Sequence, residues 1–418
     1  MPHLLLVPGF LGPHGGFENY VDAVVTVALD AGYDVTVATD RPALGRTEVA
    51  DRWVGRAGLR SAEGEWRRTP TGRMTVGAAL VRDTARRRRW PTEGDRRQAG
   101  QTRAIPAIEA YWSTGPGAQL VATADLVHLV GKPKRWVCEA LRAAHRAGVP
   151  VAYAEVAQVT PEYATRPDLA GFADVASLVD LAVCFYDEQA DDLRAQFGYA
   201  GPAVRVEQWA DGLEAALLAL PAPAPGEDPG GDNRPIVVGS LSRLGPEKGL
   251  DTLVRGFATA AAVDDRLLLR IAGTGSEGPA VAALATELGV ADRVQMVGYV
   301  EDRVSLLAGL DVFVVSSVEE GGPITGVEAM AAARPIVSTA AGAMRERIRH
   351  GVDGLRFDAG DADALAGHLA VLTDGSSGAA RRAELGGAAR IRYLERNHSS
   401  ITVPALVDAW ATLARGLL

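Results

Sequence analysis

Lysine is nearly absent from this chain. Of 43 basic residues, only Lys132, Lys134 and Lys248 are lysine, so a lysine inside a motif carries information. Cysteine is as sparse. Cys138 and Cys184 are too few for a disulfide framework or a zinc-ligand set, and both lie among apolar residues as small core side chains do. No apolar run approaches the roughly 18–20 residues that cross a bilayer. The apolar start, Met1 to Phe10, lacks a basic leader and a cleavage site, so it reads as a buried strand with no signal peptide, and a cytoplasmic location is expected. A net charge of −9 argues against wrapping nucleic acid.

What is present is ordinary for a folded protein and enough for two cores: 418 residues, 47% hydrophobic and 23% charged. Strand and helix patterns alternate. Leu4–Val7, Asp34–Ala38, Leu120–Val130, Pro150–Ala154 and Leu181–Phe185 read as strands, with helices over Phe17–Ala31, Arg135–Ala147 and Glu188–Phe197. The pattern restarts after Pro235 with strands Ile236–Val238, Leu267–Ala272, Val294–Met296, Val312–Val315 and Ile336–Val337, and helices Gly249–Ala262, Pro279–Leu288 and Val327–Ala333. Alternation of this kind predicts α/β architecture with parallel sheets, and the restart predicts two Rossmann-like domains. Residues 1–220 form the first and 236–400 the second. The Pro/Gly-rich stretch 221–235 is read as the linker, and 401–418 as a terminal helix that returns to the first domain.

Residues 41–103 depart from the alternation and are arginine-dense, with Arg86 to Arg89 in one run and Trp66 and Trp90 beside arginines. We read this insertion as a solvated flap. The secondary reading is a basic, aromatic surface for an anionic acceptor or a lipid headgroup.

The most informative stretch runs from Val315 to Met344. Glu320 and Glu328 are eight positions apart, separated by a Gly-Gly-Pro loop and placed between an apolar strand and a helix. A strand, a glycine loop and a helix start can offer backbone N–H groups and a positive helix end to an anion. Glu320, Gly321, Pro323, Glu328, Ala329, Met330, Ala331, Pro335 and Val337 resemble the E-x7-E signature of retaining nucleotide-sugar glycosyltransferases of family 4. In that pattern a glycine precedes the proline. Here we place Arg334 at that position, with Ala333 ahead of it.

The resemblance implies the GT-B fold, with the two domains facing each other across a cleft, and a set of site residues. Gly239 to Gly249 resembles the family's loop with a basic pair, which puts Arg243 and Lys248 on the leaving diphosphate. Glu320 faces the donor sugar and is counted as catalytic with them. Glu328 accepts from the two ribose hydroxyls and is expected in the first helical turn. Amides of Gly321, Gly322, Ile324 and Thr325 complete the donor site, because Pro323 has no N–H. Backbone groups near Tyr299 and Val300 lie by the base. Ile271 to Ser276 resembles a G-x-G strand end. Gly15 and Gly16, which open the first helix, resemble the family's phosphate-facing loop.

One departure is plain. The family's histidine after the strand Pro150–Ala154 falls on Val156. His14, His128 and Glu155 are the acceptor-side candidates that could stand in for it. No metal is implied, since Asp361 and Asp363 spell D-x-D at a helix start and read as caps. No cofactor is implied either. The donor is read as a UDP- or GDP-linked sugar with ADP left open, and the acceptor as a small specialised metabolite. A membrane surface is a secondary reading, and oligomeric state is left open. The expected function is retaining sugar transfer. One alternative is a degenerate homologue that binds or activates a partner, suggested by the missing histidine and by Arg205 to Ala210, where the family has P-N-G. Another is a nucleotide-sugar epimerase or sugar phosphorylase.

Overall fold

A computed structural model describes residues 1–9, 15–39, 56, 59–63, 105–169, 171–223 and 234–416. Most of the arginine-rich insertion and His14 lie outside the described residues. The chain divides into two compact units, Met1–Arg205 with Leu406–Leu418, and Val206–Ala405.

The first unit holds a seven-stranded sheet in the order β3-β2-β1-β4-β5-β6-β7. Its strands are β1 (His3–Pro8), β2 (Asp34–Thr39), β3 (Leu59–Glu63), β4 (Leu126–Val130), β5 (Val151–Ala154), β6 (Leu181–Cys184) and β7 (Ala203–Arg205). All neighbouring pairs are parallel. Parallel strands covered on both faces read as unbroken apolar runs, which is why β1 and β4 are legible. Val127 and Leu129 of β4 face one core with Trp112 and Trp136. On the other face, His128 meets Trp410 of the terminal helix. That helix runs over Ser399–Ala414, and Leu406 onward belongs to this unit.

Two expectations change here. Leu120–Val130 is not one strand. A helix over Pro116–Ala122 ends before β4, started by Pro116 in its first turn, where a missing N–H costs nothing. Asp125 between them accepts from the amide of His3 at 2.7 Å, which fixes the entry into β4. The edge strand β3 was not expected, because Leu-Arg-Ser-Ala-Glu has no β-branched residue and lies inside the basic segment.

The second unit holds a six-stranded parallel sheet, β10-β9-β8-β11-β12-β13. These are β8 (Ile236–Leu241), β9 (Leu267–Ala272), β10 (Val294–Gly298), β11 (Val312–Val315), β12 (Ile336–Thr339) and β13 (Leu355–Phe357). Alternate residues of β11 feed opposite cores: Val312 and Val314 pack with Leu253 and Phe257, and Phe313 and Val315 with Met330 and Met344. The unit begins at Val206, ahead of the Pro/Gly-rich stretch, because two arginines tie the preceding residues down. Arg334 donates to the carbonyls of Leu310 and Pro221, and Arg390 to those of Leu217 and Leu220.

In both sheets the first strand of the unit lies between the second and the fourth. Chain order therefore reverses between β1 and β4, and between β8 and β11. Doubly wound sheets bind ligands at the carboxyl ends of the strands flanking such a point.

Candidate functional site

In the second unit the reversal point carries the paired motifs. Lys248 follows β8 and Glu320 follows β11, and Lys248 Nζ donates to Glu320 Oε2. Their side chains are 14% and 16% exposed, so the pair is largely withdrawn from water yet reachable. The two loops are stitched together by backbone contacts. The hydroxyl of Ser316 donates to the carbonyl of Lys248 at 2.8 Å, and the amide of Val318 to that of Glu247 at 2.9 Å. Gly249, at φ +56°, makes this approach tolerable, since a Cβ there would lie 2.2 Å from the Ser316 carbonyl oxygen.

A second brace holds the Glu320 loop from behind. Gly342 has φ +51°, and a Cβ on it would lie 1.8 Å from the Glu320 carbonyl oxygen. The amide of Ala343 donates to the carbonyl of Gly321 at 2.8 Å. Gly322 rests on Gln208, whose Oε1 would be 2.0 Å from a Cβ there. Gln208 and Glu207 are held in turn by the buried Arg347, at 3.0 and 3.2 Å. The altered segment from Arg205 to Ala210 thus has a structural task beneath the glycine loop.

The loop leads into a helix over Ile324–Ala331 whose N-cap is Pro323. Helix starts leave amides without intrahelical partners. Within the described residues, the amides of Gly321, Gly322, Ile324 and Thr325 make no hydrogen bond. They and Lys248 can receive a polyanion.

Glu328 is placed differently from the expectation. The helix starts at Ile324, earlier than the predicted Val327, so no acidic residue occupies its first turn and Glu328 sits one turn deeper. It is 1% exposed. Arg303 Nη1 donates to its Oε1 at 2.5 Å, while its Oε2 is buried without a partner. Burial pushes its pKa up to about 7, and the Arg303 charge opposes that rise. A carboxylate with one free oxygen can accept from a ligand hydroxyl. No motif pointed to Arg303, which lies 25 positions before its partner.

The glycine-type position of the motif also shifts. Ala333, not Arg334, has the positive φ, +54°. Arg334 is buried and occupied with carbonyls, as described above.

Other expected residues take distinct places. Arg243 is 71% exposed and pairs with Glu247 at 2.5 Å, so it does not join the Lys248–Glu320 pair. Val300 is half-buried just past β10. The Gly273–Gly275 turn packs on the Arg243 loop, with Leu244 donating to the Thr274 carbonyl at 2.9 Å. Asp361 caps its helix by accepting from Ala364 at 2.8 Å.

In the first unit, Gly15 is the N-cap of the helix Gly16–Asp30, and both glycines are exposed. The two acceptor-side candidates among the described residues are interior residues instead. Glu155 is fully buried and bonded on both oxygens: Tyr153 at 2.6 Å and Tyr163 at 3.0 Å on one, and the amides of Val156 and Ala157 at 2.8 and 2.9 Å on the other. Burial raises its pKa, and these donors oppose the rise. His128 is also fully buried, accepts from Trp410 Nε1 at 3.1 Å, and has its pKa lowered by burial to about 3. Glu155 is satisfied on both oxygens, whereas His128 is tied to Trp410 through Nδ1 and has its Nε2 buried without a partner. Cys138 and Cys184 are buried, with thiol pKa values pushed up to about 12.

Residues 227–392 match the family of glycosyl transferases group 1. The matched segment contains every donor-side residue named above except Gly15 and Gly16. Among curated proteins, the chain is 32% identical over 205 residues to the lipopolysaccharide core biosynthesis glycosyltransferase LpsE of Rhizobium meliloti (strain 1021), covering 48% of this chain and 53% of that protein. It is 34% identical over 165 residues to a D-inositol 3-phosphate glycosyltransferase of Mycobacterium sp. (strain JLS), covering 38% and 35%. The chain thus spans about half the length of the first of these relatives and about a third of the second. Among solved structures, Anabaena HepE in complex with UDP and glucose superposes with a TM-score of 0.69 at 17% identity, covering 99% of this chain and 100% of that one. Sucrose-phosphate synthase from Thermosynechococcus elongatus superposes with 0.67 at 17%, covering 100% of each chain. These likenesses establish the fold, GT-B with two Rossmann-like units. Among the described residues, no helix is long and apolar enough to cross a membrane.

Proposed function

We propose that this chain transfers a sugar from a nucleoside diphosphate to an acceptor, with retention of anomeric configuration, in the manner of family 4. The observation that carries the reading is the Lys248–Glu320 pair at the reversal point, with four unbonded loop amides and the buried Glu328 carboxylate, one of whose oxygens has no partner. Two of the solved relatives, both HepE, hold UDP with glucose and UDP-glucose, and the curated relatives are named as glycosyltransferases.

In this reading Lys248 and the loop amides hold the diphosphate, where negative charge grows as the sugar leaves. Arg243 reaches the same phosphates by leaving Glu247. Glu328 binds the ribose and Glu320 the sugar hydroxyls. The bond from the anomeric carbon to the phosphate oxygen breaks, a bond to the acceptor oxygen forms on the same face, and the acceptor's proton passes to the departing phosphate. That route needs no separate base, consistent with Val156 in the family's histidine position. No cofactor or metal enters it. The acceptor we propose is a small hydroxyl compound. The relatives' names give two acceptor classes to try beside it, a lipopolysaccharide core and an inositol phosphate.

The test is a thermal-shift panel of UDP, GDP, ADP and dTDP on the wild type and Lys248→Ala. A ligand at about 100 times its dissociation constant should stabilise by about 2.7 kcal/mol. A shift with one nucleotide, lost in the variant, fixes the donor class. No shift with any of them favours a partner-binding homologue.

A further inference from the structure

Glu328 poses a question that the family resemblance leaves unanswered. A fully buried carboxylate ordinarily has both oxygens bonded, because a buried unpaired acceptor is costly. Here one oxygen is held by Arg303 at 2.5 Å and the other is bare. Arg303 comes from a different element, the helix Arg303–Ala308, which begins three positions after Val300 and is capped by Asp302. Its side chain is 20% exposed, whereas that of Glu328 is 2% exposed, so the more exposed cation holds the more deeply buried carboxylate.

We infer that Arg303 is a positioning residue for the donor: by occupying Oε1 it favours the charged form of the Glu328 carboxylate and turns it so that Oε2 is left for the ligand's vicinal diol. The inference rests on the reading of Glu328 as the ribose acceptor. A charge-assisted hydrogen bond from a hydroxyl to an ionised carboxylate is roughly twice as strong as one to a neutral acid. The arrangement gains that strength only while the buried Glu328 is ionised. Arg303 is the cation that opposes its protonation. Among the described residues, Tyr393 also interacts electrostatically with Glu328: its hydroxyl donates to Glu214, and its pKa is raised by burial foremost, with Glu328 among the smaller contributors. Tyr393 is therefore neutral throughout the working range and supplies no compensating charge. Val300, the residue placed by the base, lies just before this helix, so one short segment contributes to recognition of both base and ribose.

The experiment is calorimetric binding of the nucleoside diphosphate that stabilises the wild type, from pH 6 to pH 8.5, for the wild type, Arg303→Ala, Arg303→Lys and Glu328→Gln. The 2′-deoxy nucleotide is measured alongside. Arg303→Ala should weaken binding at pH 7 by about tenfold or more, the worth of one hydrogen bond to a charged group. Binding by the wild type should itself strengthen as the pH rises through about 7, and that of Arg303→Ala should recover only at higher pH, because without the guanidinium the carboxyl ionises later. Arg303→Lys should lie between the two, and Glu328→Gln should show no such variant-specific pH dependence. Thermal melts of each variant separate weak binding from poor folding. Arg303→Ala binding within about twofold of wild type at every pH would overturn the inference while leaving the ribose reading intact. Equal binding of the ribo and 2′-deoxy nucleotides, with Glu328→Gln unaffected, would overturn both.

Discussion

Lys248 and Glu320 form an ion pair across the carboxyl ends of β8 and β11, the two neighbouring strands between which chain order reverses. They are 72 positions apart in sequence, and two backbone-stitched loops bring them together. In the proposed reaction the two carry different loads. Lys248 meets phosphate, and Glu320 meets sugar. Lys248→Met should therefore weaken nucleoside diphosphate binding and lower kcat about 100-fold or more, the usual effect of losing one charge-stabilising donor. Glu320→Gln should lower kcat comparably and leave nucleoside diphosphate affinity within about threefold. Steady-state kinetics together with calorimetry reads both. Equal loss of nucleotide affinity in the two variants would overturn the division of roles.

The brace behind Glu320 gives a steric prediction. Gly342→Ala places a methyl where the Glu320 carbonyl oxygen stands, at a φ that also disfavours a side chain. Backbone strain costs about 1–2 kcal/mol, and the collision can be relieved only by moving the catalytic loop. A displacement of about 1 Å can cost about 100-fold in rate. Gly351→Ala is the control. It has φ +77°, and a Cβ there would come no closer to another atom than 4.0 Å, from a side-chain nitrogen of Arg381. Both variants should melt lower than wild type, and only Gly342→Ala should lose turnover beyond its loss of folded protein.

Much of this was legible in sequence for a physical reason. Strands buried on both faces must be apolar along their length, so β1, β8, β9 and β11 announce themselves. The spacing of Glu320 and Glu328 and the rarity of lysine pointed to Lys248 and Glu320, which two loops bring together, and to Glu328 in the helix that follows. Short edge strands such as β3 and β7 carry no such pattern. Arg303, Arg347 and Gly342 were not legible, because their importance lies in contacts made by the folded chain and no local motif encodes those. The same limit explains Glu155 and His128. A polar residue near a strand end looks alike in sequence whether it faces a ligand or a core, and only packing distinguishes the two.

His128 leads to a prediction about acid stability. Its folded pKa of about 3 is below the unfolded value near 6.5, so between those values the unfolded chain binds more protons. Its contribution to stability is fully present above pH 6.5 and falls as the pH drops. At pH 5 the loss should be about 2 kcal/mol, from 1.36 kcal/mol per unit. His128→Gln keeps an acceptor for Trp410 and does not titrate. Urea unfolding at pH 7.5 and pH 5 should therefore show the wild type losing about 2 kcal/mol more than the variant. Parallel losses in the two proteins would mean that His128 is already solvated in the native state.

Glu155 separates an interior anchor from an acceptor contact. Four donors converge on its two oxygens, two of them tyrosine hydroxyls that are themselves buried. Its carbonyl also accepts from Gln189 at 3.0 Å, which joins β5 to the helix Glu188–Phe197. Glu155→Ala strands several of these groups at about 1–3 kcal/mol each, so a loss of roughly 3 kcal/mol or more is expected. Glu155→Gln keeps the shape and an acceptor oxygen while sacrificing the charge, and should cost less. In both variants the specific activity per folded molecule should stay near wild type, with the acceptor KM unchanged. A raised acceptor KM in a stably folded Glu155→Gln would return this residue to the acceptor site, and unchanged stability in Glu155→Ala would contradict its role as an anchor.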